Sequence, residues 1–162
     1  MTYAIVYSSR TGNTKLLAET IRAALPAGDC LYFGEPDSAA LAADRIYAGF
    51  WTDKGACDEQ TAAFLRTLTD QELFLFGTAG FGQSQAYFDK VLERTRQHLG
   101  AGVRNTGSFM CQGKMPLSVR ERYEKMQHSP VKVPNLQAMI ENFDSALSHP
   151  DQADLERLRA AL

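Results

Sequence analysis

The chain opens with a strand, a polar turn and a helix in immediate succession, and this segment constrains the fold more than any other. The apolar run from Tyr3 to Tyr7 has the length and the Ile, Val and Tyr content of a buried strand. The polar residues Ser9 to Thr14 follow, and an amphipathic pattern then predicts a helix over residues 13–25. Such a turn gathers unpaired backbone N–H groups and the positive end of a helix dipole around one point. We therefore expect the turn to bind a phosphate group.

The residue types within this turn narrow the class of ligand. Hydroxyl groups can donate hydrogen bonds to phosphate oxygens, and a glycine lets the backbone approach a ligand closely. Neither Gly-x-x-x-x-Gly-Lys-Ser/Thr nor Gly-x-Gly-x-x-Gly occurs at this turn, which argues against nucleoside triphosphates and dinucleotides. An ordinary turn with a helix N-cap is the alternative interpretation. The candidate phosphate-binding residues are Ser9, Arg10, Thr11, Gly12, Asn13 and Thr14.

The rest of the chain alternates apolar runs with helical patterns, which is typical of a parallel sheet covered by helices on both faces. Strands are predicted over residues 3–7, 30–33, 45–50, 73–77 and 108–111. Helices are predicted over residues 13–25, 37–42, 59–68, 85–99, 117–126 and 136–147. The helix over 136–147 is expected to be the last one that packs on the sheet. Residues 151–162 form either a short charged helix or a frayed tail, and we expect an exposed loop at 128–135.

A doubly wound sheet binds ligands beyond the carboxyl ends of its strands, where the strand order reverses. The loops after the first, third and fourth strands should therefore meet there. The third-strand loop carries Trp51, the single tryptophan, which is the first candidate to stack on a planar ring, and Phe50 is the second. The alternative interpretation places both aromatics at the edge of the core. The remaining candidates for ligand binding in these two loops are Thr52, Gly55, Thr78, Ala79, Gly80, Phe81 and Gly82.

The turn from Ser9 to Thr14 resembles the Ser/Thr-x-Thr-Gly-x-Thr phosphate loop of the flavodoxin family, and the resemblance covers most of the chain. It implies a flavodoxin-like α/β fold with a doubly wound five-stranded parallel sheet, strand order 2-1-3-4-5, and helices on both faces. It also implies FMN as the cofactor, with Phe81 and Trp51 stacking on the flavin and a peptide at Gly55 flipping toward flavin N5. We expect one flavodoxin-like domain over residues 1–148, followed by a C-terminal helical tail over 149–162.

The loops around Trp51 and Phe81 also resemble those of a small bacterial subgroup, which includes short flavodoxin-like accessory proteins associated with bilirubin reductase. This resemblance implies electron transfer between redox partner proteins, from a flavin reductase donor to an acceptor reductase that acts on a tetrapyrrole. Electron transfer needs no general acid or base, and no catalytic or metal-binding constellation is visible in the loops. Two alternatives stay open: an FMN-dependent NAD(P)H:quinone-type oxidoreductase, and a flavin-free regulatory or binding domain.

The charge and the composition exclude several other classes. A net charge of −2 predicts no basic patch of the kind that nucleic acid requires. This charge is also small compared with that of the electron carriers of the flavodoxin family, which are strongly acidic. We find no basic leader and no run of eighteen apolar residues, so a cytoplasmic protein without membrane insertion is expected. The three cysteines lack metal-type spacing, and Cys57 and Cys111 are either reactive or incidental buried thiols. The role of residues 112–135 is open between a partner-docking surface and an exposed excursion.

Overall fold

Five long parallel strands form the sheet in a computed structural model that describes residues 1–82 and 84–162. Their order, β2-β1-β3-β5-β6, is the predicted 2-1-3-4-5 arrangement of the five long strands, which is thereby confirmed. The strands are β1 (Tyr3–Tyr7), β2 (Cys30–Gly34), β3 (Arg45–Asp53), β4 (Ala56–Cys57), β5 (Glu72–Ala79) and β6 (Arg104–Gln112). The helices are α1 (Asn13–Ala24), α2 (Glu59–Leu65), α3 (Gln85–Arg96), α4 (Leu117–Gln127), α5 (Leu136–Ala146) and α6 (Gln152–Ala161).

The alternation of side chains along each strand builds one hydrophobic core on each face of the sheet. On β1, Val6 joins the core that contains Leu65 of α2. The neighbouring Ile5 points to the opposite face and joins Leu17 of α1 and Leu158 of α6. Both faces of the sheet are therefore buried, as a parallel sheet requires.

The loop after the third long strand is a hairpin, which the sequence did not indicate. β3 runs past the predicted end at residue 50, and its last residue, Asp53, pairs with Ala56 of the short antiparallel strand β4. Lys54 and Gly55 form the turn, with φ angles of 53° and 82°. A two-residue hairpin needs positive φ at its centre, and glycine adopts it without strain. The turn therefore carries the backbone back toward α2 within a few residues.

Helices α4 and α5 form a pair with a small core of its own. Tyr123 of α4 packs with Ile140 and Phe143 of α5 in a cluster separate from the two faces of the sheet. The expectation that residues 136–147 are the last helix on the sheet is therefore wrong. α6 takes that position, since its Leu158 is fully buried in the core with α1.

The C-terminal residues contain a helix that ends the described fold. Asp151 caps α6 through its side chain, in a reciprocal arrangement with Asp154 at the third position of the helix. The division of the chain into a domain over 1–148 and a tail over 149–162 stays a prediction. In the part of the chain that the structure describes, no helix combines the length and the apolar character needed to cross a bilayer.

Candidate functional site

The three predicted loops border a single cavity of about 330 Å³ at the carboxyl ends of the strands. Nine of the fifteen predicted site residues line it: Arg10, Thr11, Asn13, Trp51, Thr52, Gly55, Thr78, Gly80 and Phe81. The other six lie in the same loops but do not line the cavity: Ser9, Gly12, Thr14, Phe50, Ala79 and Gly82. The geometry of each group explains this division.

The N-terminus of α1 faces the cavity without a side-chain cap. Gly12 is its N-cap residue, with φ of 90°, whereas side chains cap the N-termini of α2, α3 and α6. The Ser9 hydroxyl accepts hydrogen bonds from the N–H groups of Gly12 and Lys15, at 3.1 and 3.4 Å, and so holds the turn closed. A Cβ at Gly12 would meet nothing within 4 Å. The turn therefore presents the positive end of the helix dipole to open space, which suits an anion.

The hydroxyl of Thr14 faces the sheet instead of the cavity. It is buried, lies 3.2 Å from the carbonyl oxygen of Phe50, to which it donates, and 3.4 Å from the hydroxyl of Thr78. This hydroxyl therefore ties the turn to β3 and β5, and its contribution to a ligand is through the position of α1.

The structure does not bring Phe50 to the cavity, so the stacking role predicted for it is corrected. Its side chain is fully buried, and its ring packs so closely on β5 that a Cβ at Gly77 would lie 2.4 Å from it. Adjacent residues of a strand point to opposite faces, so the burial of Phe50 in the core directs Trp51 to the other side. Trp51 is the aromatic of β3 that reaches the cavity.

An arginine covers the ring of Trp51. The Arg10 guanidinium carbon lies 5.4 Å from the centroid of the ring, within the range of a cation–π contact. Phe81, whose side chain is 46% exposed, also lines the cavity. Two aromatic rings from different loops are thus available to a planar ligand, and the guanidinium is positioned between the turn and one of them.

The β3–β4 hairpin is held to the sheet at two points. The Thr52 hydroxyl donates to the carbonyl oxygen of Thr78 at 2.8 Å. The carbonyl oxygen of Gly55 accepts a hydrogen bond from Arg94 of α3 at 3.2 Å. A flip of the Gly55 peptide toward a flavin, as the resemblance implies, would have to break this second bond.

Sequence reasoning missed the wall formed by the segment after β6 and by α4. The carbonyl oxygen of Lys114 accepts hydrogen bonds from the Asn13 amide at 2.8 Å and the Thr11 hydroxyl at 3.3 Å. These hydrogen bonds fasten the turn from Ser9 to Thr14, which we call the phosphate turn after its predicted ligand, to the wall. The signal that could have found the wall is topological, since this segment leaves the carboxyl end of a strand at the same edge of the sheet. The wall residues are Gly113, Lys114, Met115, Pro116, Val119, Arg122 and Tyr123.

A second set of hydrogen bonds fastens α5 to the loop that follows β5. The carbonyl oxygen of Gly80 accepts hydrogen bonds from Gln112 at 3.0 Å and from Asn142 of α5 at 3.1 Å. The amide of Gln112 also donates to the Asn142 side-chain oxygen at 3.1 Å. The carbonyl groups of Lys114 and Gly80 therefore join the segment after β6 and helix α5 to the loops around the cavity.

Both candidate thiols are buried away from the cavity. Burial raises the pKa of Cys57 to about 11, because desolvation disfavours the thiolate. Burial also raises the pKa of Cys111. A thiolate is the reactive form of cysteine, so at neutral pH both side chains behave as small apolar groups.

Comparison with known proteins places this geometry in a family. The model of a family described as "Flavodoxin domain" matches residues 4–162. The chain belongs to this flavodoxin-domain family. A relative from Clostridium symbiosum, named flavodoxin-like domain-containing protein BilS, is 43% identical, and the alignment covers 96% of this chain and 90% of the relative.

Solved structures support the flavodoxin-like fold. A short-chain flavodoxin associated with a non-canonical PDU bacterial microcompartment superposes with a TM-score of 0.53 at 18% identity, covering 90% of this chain and 97% of that one. A flavoprotein in complex with FMN from Lactobacillus acidophilus superposes with a TM-score of 0.52 at 14% identity, covering 67% and 92%. These likenesses show the shared fold of the flavodoxin-domain family.

Proposed function

We propose that this protein binds FMN and transfers electrons through it to a partner reductase. The observation that carries the proposal is the meeting, in one cavity, of an uncapped helix N-terminus with the rings of Trp51 and Phe81. FMN has the matching chemistry, with a phosphate at one end and a planar three-ring system at the other. An ordinary strand-to-helix turn would explain the first feature but not its coincidence with two aromatic rings that line the same cavity.

The chain's own residues would hold the two ends of FMN differently. The N-terminus of α1 and the side chains of Arg10, Thr11 and Asn13 would bind the phosphate, since they border the cavity at the turn. Trp51 and Phe81 would contact the ring system. When bound, the flavin supplies the redox chemistry, and the protein supplies binding and electrostatics.

The wall after β6 would shield the flavin from water. Met115 and Tyr123 bring apolar and aromatic surface to the cavity opposite the loops, and Tyr123 is itself buried. Among the described lining residues, Asp53 is the single carboxylate, and it is exposed at the hairpin. The residues around the cavity thus offer no paired acid and base, which fits electron transfer better than proton-transfer catalysis.

The partners are inferred from likeness. The resemblance of the loops to accessory proteins associated with bilirubin reductase, and the relative named BilS, support an acceptor reductase that acts on a tetrapyrrole such as bilirubin. A flavin reductase is the proposed donor.

The test is to titrate the purified protein with FMN and riboflavin, and then to reduce the loaded protein stepwise while its absorption spectrum is recorded. We expect tight binding of FMN, weaker binding of riboflavin, and reduction in two separate one-electron steps. W51A should weaken the binding of both flavins. Rapid turnover of NAD(P)H with a quinone in the absence of any partner would favour the oxidoreductase alternative instead, and absence of flavin binding would refute the proposal.

A further inference from the structure

The residues that line the cavity carry a concentration of positive charge. Four exposed cations line it, Arg10, Lys54, Lys114 and Arg122, and we call them the cationic rim. A single carboxylate, Asp53, lines the cavity with them. The lining therefore has a net charge of +3. The whole chain has a net charge of −2, so the rest of the molecule carries −5. The lining of the cavity is therefore positive in a chain whose net charge is negative.

The rim is not neutralised by the protein itself. Ion pairs in the described part of the chain join other cations to carboxylates, for example Arg45 to Glu72 at 2.6 Å and Arg120 to Asp144 at 3.6 Å. Within the same described residues, no carboxylate lies within ion-pair distance of any member of the rim. The four charges are thus free to act on a molecule that approaches the cavity.

FMN accounts for only half of the rim. The cofactor has one anionic group, its phosphate, and the phosphate turn already places Arg10 beside it. Lys114 is close to the same end, because its carbonyl is bonded to Thr11 and Asn13 of the turn. Lys54 lies at the tip of the hairpin and Arg122 lies on α4, and the oxidised ring system has no charge for them to bind. Both side chains are therefore available to a second anionic group that approaches the cavity.

An apolar side chain is exposed at the same opening. Phe81 lines the cavity with 46% of its surface exposed. An exposed aromatic ring among unpaired cations has the composition of a docking site, in which apolar contacts lie inside a charged rim.

We propose that the cavity opening docks an acidic surface of a redox-partner protein, with Lys54 and Arg122 steering that surface to the flavin. The inference rests on the proposed function. A positive opening on a chain of negative net charge would attract an acidic partner to the cavity, which would orient the encounter as well as accelerate it. This polarity is the reverse of that of strongly acidic electron carriers, which dock on basic partners.

The test uses the FMN-loaded protein and two haem acceptors of opposite surface charge, cytochrome b5, which is acidic, and cytochrome c, which is basic. One fully reduced flavin transfers one electron to each of two ferric haems, and its protons go to the solvent. The second-order rate constant is measured by stopped flow over a range of salt concentrations. We expect the rate with cytochrome b5 to fall about tenfold as salt rises from low to near-physiological ionic strength, and the rate with cytochrome c to rise.

A charge variant and a matched control locate the effect. K54Q/R122Q should slow the reaction with cytochrome b5 about tenfold at low salt and should flatten its salt dependence. The control K90Q/R159Q removes two exposed cations outside the cavity and should change the rate less than about twofold. Flavin content is measured for every variant, and rates are compared per bound FMN.

The outcomes separate this inference from the proposed function. If K54Q/R122Q fails to fold or to bind FMN, the docking inference is tested on the native holoprotein alone. It then requires that the rates with the two cytochromes depend on salt in opposite directions. Equal salt dependences for both acceptors, faster reaction with cytochrome c at low salt, or an equal loss in the control variant would overturn the docking inference while FMN binding stands. Failure of the native protein to bind FMN would overturn the proposed function, and the inference with it.

Discussion

Replacement of Arg10 by glutamine should weaken the binding of FMN while leaving riboflavin almost unaffected. Arg10 belongs to the phosphate turn and lines the cavity, and its guanidinium lies 5.4 Å from the centroid of the Trp51 ring. We expect the guanidinium to give up part of that contact when it binds the phosphate of FMN. Riboflavin lacks the phosphate, so a comparison of the two ligands isolates the interaction of the guanidinium with the anion.

The magnitude follows from three terms. A unit charge pair at about 4 Å near a protein surface is worth about 4 kcal/mol by Coulomb's law. Arg10 is exposed, so solvent screening reduces the net value of the contact to roughly 1–2 kcal/mol. Loss of the cation–π contact with Trp51 costs about 0.5–1 kcal/mol. The remainder is about 1 kcal/mol, which corresponds to a roughly fivefold increase in Kd for FMN.

Fluorescence titration of the flavin-free protein with each ligand measures the two Kd values at low and at high salt. The FMN difference between native protein and R10Q should shrink as salt is added, whereas riboflavin should stay within about twofold. K15Q is the matched control, because Lys15 is an exposed cation of α1 that does not line the cavity. Equal weakening of both ligands in R10Q, or an equal FMN loss in K15Q, would refute a direct contact with the phosphate.

Three further predictions concern Thr14, Gly113 and the cysteines. T14V should lower the free energy of unfolding by about 1–3 kcal/mol, because the buried carbonyl of Phe50 loses the Thr14 hydroxyl as a donor. Denaturant unfolding measures this loss of stability. The ratio of the affinities for FMN and riboflavin should not change. G113A should weaken FMN binding several-fold in the same titration, because its Cβ would lie 2.4 Å from the Asn13 amide nitrogen. A thiol-reactive dye at pH 8 should label Cys30 rapidly in the folded protein and Cys57, whose pKa is raised to about 11, only after unfolding.

The strand order and most elements could be predicted because periodicity reports burial directly. Both faces of the sheet are covered, so its strands appear as continuous apolar runs, and the amphipathic helices between them show the face that packs. Gly55 was singled out as a ligand contact, but its role in the backbone is to end β3 in a two-residue turn. Hairpin formation depends on the pairing of Asp53 with Ala56, two polar or small residues that carry little strand signal.

The site was predictable where chemistry is carried by a local motif and not where it depends on packing. The phosphate turn is contiguous, so its residues could be identified together. Whether Phe50 or Trp51 reaches a ligand depends on which face of β3 each one occupies, and both are aromatic. Tyr123 was not predicted at all, because a buried tyrosine on a polar helix joins the cavity only through the packing of α4 on α5.

The helix pair α4–α5 gives this site a property that the loops alone would not have. Asn13 of the phosphate turn donates to the Lys114 carbonyl, and Asn142 of α5 donates to the Gly80 carbonyl in the loop that would contact the ring. The wall is therefore bonded to the turn that would hold a phosphate, and α5, which packs on α4, is bonded to the loop that would contact the ring. In our proposal the three loops around the cavity would determine which cofactor binds, while the wall and the cationic rim would determine which molecule reaches it.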